Sequence, residues 1–115
     1  EFIKPVADIL GIKSDYIFSN SFVENGHNYE LNKKNIMAKD NGKVEAVKNL
    51  NLNGITIVIG DGYTDYEIKK YGFASKFIQY TENINREELN KNADFISKDL
   101  HEALLYINGI YQNER

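Results

Sequence analysis

Cysteine and tryptophan are absent from this chain, and proline and methionine occur once each. Without cysteine there is no disulfide, no thiolate nucleophile and no cysteine-based zinc site. That suits a reducing compartment such as the cytoplasm. Long apolar runs are also missing. The longest, Ile55-Thr56-Ile57-Val58-Ile59 with its threonine admitted, is far too short to cross a bilayer. No basic-then-apolar targeting segment opens the chain, and no stretch has the composition of a linker or a repeat. Nor is positive charge in excess. Fourteen Lys+Arg stand against 17 Asp+Glu, a net charge of −3, without the basic footprint of a nucleic-acid binder. Neither nucleic acid nor a membrane is expected as a partner.

What remains is a chain of 115 residues, 42% hydrophobic and 27% charged. These are the proportions of a soluble globular protein with one modest core. Residues 2–10 place Phe2, Val6, Ile9 and Leu10 on one helical face, with Pro5 tolerable only in the first turn and Gly11 as a stop. Tyr16-Ile17-Phe18 reads as the start of a strand running to Val23. Glu24-Asn25-Gly26-His27 then signals a turn, with Asn28-Tyr29-Glu30-Leu31 as a hairpin partner. Residues 42–50 read as a helix with Val44, Val47 and Leu50 inward.

The sharpest local signal is the run Ile55 to Ile59, which has the pattern of a strand covered on both faces in a parallel sheet. A short helix through Tyr66, Ile68 and Lys69 stops at Gly72, and a strand spans residues 73–80. Asn85 reads as the N-cap of a further turn of helix with acidic Glu87 and Glu88. A brief strand at 93–96 and a last helix capped by Asp99 complete an alternation that defines an α/β class with a parallel sheet.

Ligands of open α/β sheets bind beyond the carboxyl ends of the strands. The run Gly60-Asp61-Gly62-Tyr63-Thr64-Asp65 occupies such a place. Its glycines permit a tight turn and a close approach, and Asp61 and Asp65 offer two carboxylates to a hard cation such as Mg²⁺. The architectural alternative is that Asp65 is a helix cap and Gly-Asp-Gly a turn. A calcium-loop reading is weaker, because Asp61, Asp65 and Glu67 lack the alternating acid spacing and the distant glutamate of an EF-hand. Lys43 opens a helix behind Asp40-Asn41-Gly42, where a cation opposes the macrodipole; a solvated surface lysine is the alternative. His27 and His101 have no metal-ligand spacing, and Ser19 and Ser21 have no paired base.

The Gly60–Asp65 run after a hydrophobic strand, preceded by a lysine at a helix start, resembles the last two motifs of the haloacid dehalogenase superfamily. The similarity is to its phosphoserine phosphatase-like members. Tyr16-Ile17-Phe18-Ser19-Asn20, Asn41-Gly42-Lys43-Val44-Glu45-Ala46-Val47-Lys48 and Thr64-Asp65-Tyr66-Glu67-Ile68 carry it further. So do Lys76-Phe77-Ile78, Tyr80-Thr81-Glu82-Asn83-Ile84 and Ala93-Asp94. The resemblance implies a Rossmann-like three-layer fold with a small β-hairpin, a Mg²⁺ cofactor and a phosphorylated small metabolite, phosphoserine first, as substrate. It implies that Asp61 ligates the metal and that Asp65 supports the metal and its waters. It implies that Lys43 neutralises phosphate and the attacking carboxylate, and that Thr64 stands where an asparagine often helps bind phosphate. A setting in serine biosynthesis and a fusion to a phosphoglycerate dehydrogenase also follow from it.

Chemistry of that family needs an aspartate nucleophile, with a second aspartate two residues later as acid–base, and proceeds through an aspartyl-phosphate. The aspartates here are Asp8, Asp15, Asp40, Asp61, Asp65, Asp94 and Asp99, and no two lie two apart. Residues 1–115 are therefore expected to be the C-terminal half of one phosphatase domain, inactive alone and stable only with its missing N-terminal half. In that picture the strands at 16–20 and 55–59 are separated by two strands of the missing half, which leaves bare edges. The rival expectation is a non-catalytic α/β binding module, or an inactive fragment, that keeps the Asp loop as architecture.

Overall fold

A computed structural model describes residues 2–113 and divides into two compact units, one ending at Ala46 and one beginning at Val47. The first unit opens with α1 (Lys4–Leu10), which carries Pro5 in its first turn and ends at Gly11. Gly11 takes a left-handed φ of 73°, and its N–H returns to the carbonyls of Ala7 and Asp8. Glycine suits this position because a side chain is disfavoured at positive φ. The hairpin forms as its turn signal predicts. Strands β1 (Phe22–Asn25) and β2 (Asn28–Leu31) pair antiparallel around Gly26 and His27, with Gly26 at φ 63°.

The strand expected from Tyr16 to Val23 is not formed as such. Ser14–Tyr16 is a 3₁₀ turn, and β1 begins only at Phe22. The intervening stretch is tied by the backbone bond from the Asn32 N–H to the Ser21 carbonyl, at 2.7 Å, and by side chains. Asn35 Nδ2 donates to the Ser19 carbonyl at 3.0 Å and to Ser21 Oγ at 3.1 Å, and Asn32 Nδ2 reaches Ser21 Oγ at 3.3 Å. These amide bonds come from residues 11 to 16 positions away. The helix α2 (Gly42–Asn49) forms as expected, burying Val44 and Ala46, whereas Leu50 lies beyond its end and is exposed. Gly42 packs so closely that a Cβ there would strike the Ile36 carbonyl.

The second unit is a parallel three-stranded sheet in the order β3 (Ile57–Gly60), β4 (Lys76–Tyr80), β5 (Phe95–Ser97). Side chains alternate between faces along a strand. Phe77 of β4 meets the Tyr66 ring of α3 (Tyr63–Lys70), centroids 5.7 Å apart. Ile78 is level with Phe95 of β5, and Phe95 stacks on Tyr106 of α4 (Leu100–Asn113) at 4.5 Å with planes 5° apart. The two helices thus cover opposite faces and make three layers. Phe77 and Ile78 are fully buried at the centre, with Ile68, Leu89 and Ala103 around them.

Two expectations change here and one holds. β3 was read as covered on both faces, but its cover is incomplete. Ile57 and Val58 are half-buried, and Ile59 is exposed. Asn85 does not cap the 3₁₀ stretch Glu87–Asn92. Arg86 is the N-cap residue, without a side-chain bond, and the Asn85 side chain lies toward Gln79. Asp99 does cap α4, with Oδ1 accepting the Glu102 N–H at 2.8 Å. Among the described residues no helix is long and apolar enough to cross a membrane.

Candidate active site

β3 delivers the Asp loop at the carboxyl edge of the sheet, where the strand pattern places it. The local geometry follows from two glycines and one aspartate. Gly62 is the N-cap residue of α3, extended at φ −121° and ψ 167°. Having no side chain, it cannot cap in the usual way. Asp65, three residues on, reverses the arrangement, its Oδ2 accepting the Gly62 N–H at 3.1 Å. The Gly62 carbonyl accepts in turn from the N–H groups of Asp65 and Tyr66, at 3.2 and 3.3 Å. This satisfies a donor that would otherwise be orphaned at the helix start, and it sets a carboxylate against the positive end of the helix.

Gly60 completes the cradle. A Cβ at this last strand residue would fall inside the Asp65 carboxyl group, whereas one at Gly62 would meet Asp65 Oδ2 at an ordinary 3.7 Å. The Asp65 carboxylate therefore lies over the end of β3, in space that only glycine leaves. Asp61 and Thr64 are exposed beside it, and Asp65 is half-buried. Asp61, Thr64 and Asp65 are thus gathered on one strand–loop–helix junction, as the sequence spacing predicts. Lys43 belongs to the first unit, half-buried in the first turn of α2.

The donor set fits Mg²⁺ as a partial shell. Mg²⁺ takes one or two protein carboxylates, keeps several waters and uses substrate phosphate oxygens for the rest. Asp61 and Asp65 supply two carboxylates. No group of three or more His, Cys, Asp or Glu side chains is assembled for a metal among the described residues. A recess of about 470 Å³ lies at the opposite end of the sheet, lined by Lys48, Asn51, Thr56 and Ser75 among others.

Two features escaped the sequence reading. Asp94, just before β5, accepts from Lys69 Nζ of α3 at 2.6 Å and from the Phe77 N–H at 2.8 Å, locking α3 to the sheet. Burial pushes its carboxyl upward, but the hydrogen bonds from Lys69 and Phe77, with the charge of Lys69, outweigh it and hold it below the ordinary value. The other feature is Gln79, fully buried on the middle strand. The one sequence signal for it is an amide inside the apolar run Lys76-Phe77-Ile78-Gln79-Tyr80.

No family model matches the chain. Over 101 residues, 84% of its length, it is 36% identical to the chloroplastic phosphoserine phosphatase of Arabidopsis thaliana, of which it covers 34%. A solved phosphoserine phosphohydrolase-like protein from Francisella tularensis superposes with a TM-score of 0.79 at 33% identity. The match covers 91% of this chain and 50% of that one. DsGPDH of Dunaliella salina shares the fold alone, with a TM-score of 0.66 at 21% identity over 87% of this chain and 17% of its own. The chain thus spans about a third to a half of the length of these first two relatives. Over most of its own length, this chain resembles part of the phosphoserine phosphatase-like proteins of the haloacid dehalogenase superfamily.

Proposed function

We propose that this chain is the C-terminal part of a Mg²⁺-dependent phosphomonoesterase of the phosphoserine phosphatase type. The rest of the same domain would carry the aspartate nucleophile. The observation that carries the reading is the Gly60–Asp65 cradle, in which a glycine at the strand end makes room for a carboxylate held back onto Gly62. A structural cap needs no such clearance at the preceding strand. The similarity to a phosphoserine phosphatase across 84% of the chain supports the same conclusion.

In this reading Asp61 and Asp65 would hold Mg²⁺, which when bound supplies positive charge to phosphate oxygens. Asp61 is exposed at the carboxyl edge, open to a ligand. Asp65 is oriented through Gly62 and fixes the loop on which Asp61 sits. Thr64 offers a hydroxyl to a phosphate oxygen. The resemblance assigns to Lys43, in the first turn of α2, the cation that offsets charge on the transferring phosphoryl group. The reaction is hydrolysis: water replaces the alcohol on phosphorus, through a covalent aspartyl-phosphate formed on the nucleophile outside this chain. Phosphoserine is the first substrate to try, because the Arabidopsis relative is a phosphoserine phosphatase. A cytoplasmic setting in serine biosynthesis belongs to the same proposal, as does fusion to a phosphoglycerate dehydrogenase.

The experiment is turnover of phosphoserine by the intact protein with Asp61→Asn or Lys43→Ala, the fold checked by circular dichroism. Each variant is expected to lose at least about 100-fold in kcat, with Asp61→Asn also weakening Mg²⁺ activation. Hydrolysis at the unsubstituted rate in either variant overturns the assigned roles. An intact protein that hydrolyses no phosphomonoester supports the binding-module reading instead.

A further inference from the structure

Gln79 is fully buried one residue before β4 ends, in register with Gly60 of β3. Register partners on parallel strands project to the same face, so Gln79 shares the face on which Asp65 lies over Gly60. Phe77, two residues earlier, meets Tyr66 of α3 on that face. Burying a primary amide is costly unless it is hydrogen-bonded. Here the donor end is used. Nε2 donates to the Arg86 carbonyl at 3.0 Å, with Asn85 Oδ1 at 3.5 Å. The acceptor Oε1, like Asn90 Oδ1, is buried without a partner among the described residues.

The Arg86 carbonyl also accepts the Leu89 N–H at 2.9 Å, so Gln79 grips the point where the 3₁₀ stretch begins. The other end of the intervening loop, residues 81–86, is fixed as well. Thr81 donates to the Ser97 carbonyl through both its N–H, at 2.8 Å, and its Oγ1, at 2.9 Å. Between these clamps the loop is exposed. β3 and β4 are parallel, so residues 81–86 leave the sheet at the same edge as Asp61.

We propose that Gln79 is a positioning residue, whose buried amide holds loop 81–86 at the carboxyl edge of the sheet so that the loop frames the ligand beside Asp61. The clamp stands by itself. The identity of the ligand, a phosphorylated metabolite, rests on the function proposed above.

The test uses Gln79→Met and Gln79→Glu in the intact protein. Loss of one net hydrogen bond predicts exchange of the Leu89 N–H, which donates to the Arg86 carbonyl, about 5- to 10-fold faster in Gln79→Met, with faster trypsin cleavage after Arg86. In Gln79→Glu the introduced carboxyl donates to the Arg86 carbonyl only when protonated. Loop protection should therefore return at acidic pH and vanish at neutral pH, a dependence that packing alone does not give. For phosphoserine, Gln79→Met is expected to raise KM about five-fold with kcat within about two-fold. Unchanged exchange and cleavage in Gln79→Met, or protection in Gln79→Glu that ignores pH, overturns the clamp. Faster exchange with an unchanged KM overturns the link between loop and ligand. If Gln79→Met does not fold, the pH dependence in Gln79→Glu decides. An intact protein with no phosphatase activity defeats the Asp-loop reading, and exchange still decides the clamp.

Discussion

Replacing Gly60 with alanine tests the cradle directly. Gly60 does not adopt a left-handed φ, so alanine is sterically permitted by the backbone. The whole cost comes from the methyl group, which would overlap Cγ, Oδ2 and Cβ of Asp65. Relief requires moving Asp65 off the strand end, which also breaks its bond to the Gly62 N–H. Overpacking of this kind costs about 1–3 kcal/mol and a lost hydrogen bond about 1 more, so Gly60→Ala should destabilise by about 2–4 kcal/mol. Gly62→Ala is the matched control. Its Cβ meets Asp65 Oδ2 at van der Waals distance and the backbone is already extended, so its cost should stay under about 1 kcal/mol. Urea unfolding of the intact protein reads both as midpoint shifts at constant slope. A second arm removes the obstacle. In an Asp65→Gly background, adding Gly60→Ala should cost under about 1 kcal/mol, because the two substitutions are coupled through one contact. Asp65→Ala should relieve the strain only in part, since its Cβ stays in the way. Equal costs for Gly60→Ala and Gly62→Ala, or no relief in the Asp65→Gly background, would refute the cradle.

The acid limb of stability should carry the signature of Asp94. Its folded pKa lies below the ordinary 3.8 because Lys69 and the Phe77 N–H outweigh burial. The stabilisation is therefore complete above the unfolded value and is lost as pH falls through the folded one. Urea midpoints should hold steady near neutrality and drop below about pH 4, and Asp94→Asn should lower the neutral midpoint while flattening that drop. Identical acid slopes would contradict this. At the start of α4, Asp99→Ala removes the acceptor for the Glu102 N–H and should cost about 1 kcal/mol. Unfolding midpoints of Asp99→Ala and Asp99→Ser separate a cap from a charge effect, since serine restores the cap alone.

The sequence was most legible where one local signal had no competitor. Residues 42–49 form the helix that the three-residue spacing of Val44 and Val47 predicts, and the turn at Gly26 closes a hairpin as its flanking strands predict. The Asp loop was legible because its glycines and carboxylates are adjacent in the chain, so its geometry is almost wholly local. Illegible features were those fixed by distant partners. Tyr16 to Phe18 have strand-forming side chains, but the Asn35 amide claims the Ser19 carbonyl, and both Asn32 and Asn35 hold the Ser21 hydroxyl. The run at Ile57 to Ile59 looks like a fully covered strand, but how far it is covered depends on elements distant in the chain. Asn85 has the chemistry of a cap, but its side chain is turned toward the buried amide of Gln79. The role of Asp94 likewise depends on Lys69, which lies far away in sequence.

The stack of Phe95 on Tyr106 has an optical consequence. With no tryptophan in the chain, tyrosine emission and dichroism are not masked. Tyr106 is held nearly parallel to a phenylalanine between β5 and α4, while Tyr16, Tyr29, Tyr63, Tyr71 and Tyr111 are more than half exposed. Near-ultraviolet dichroism reports fixed side-chain packing. The aromatic signal of this chain should therefore be weighted toward two held rings, Tyr66 against Phe77 and Tyr106 where the last helix meets the sheet. Undocking of that helix would show as loss of the Tyr106 share of the band before the helical far-ultraviolet signal changes, without any label.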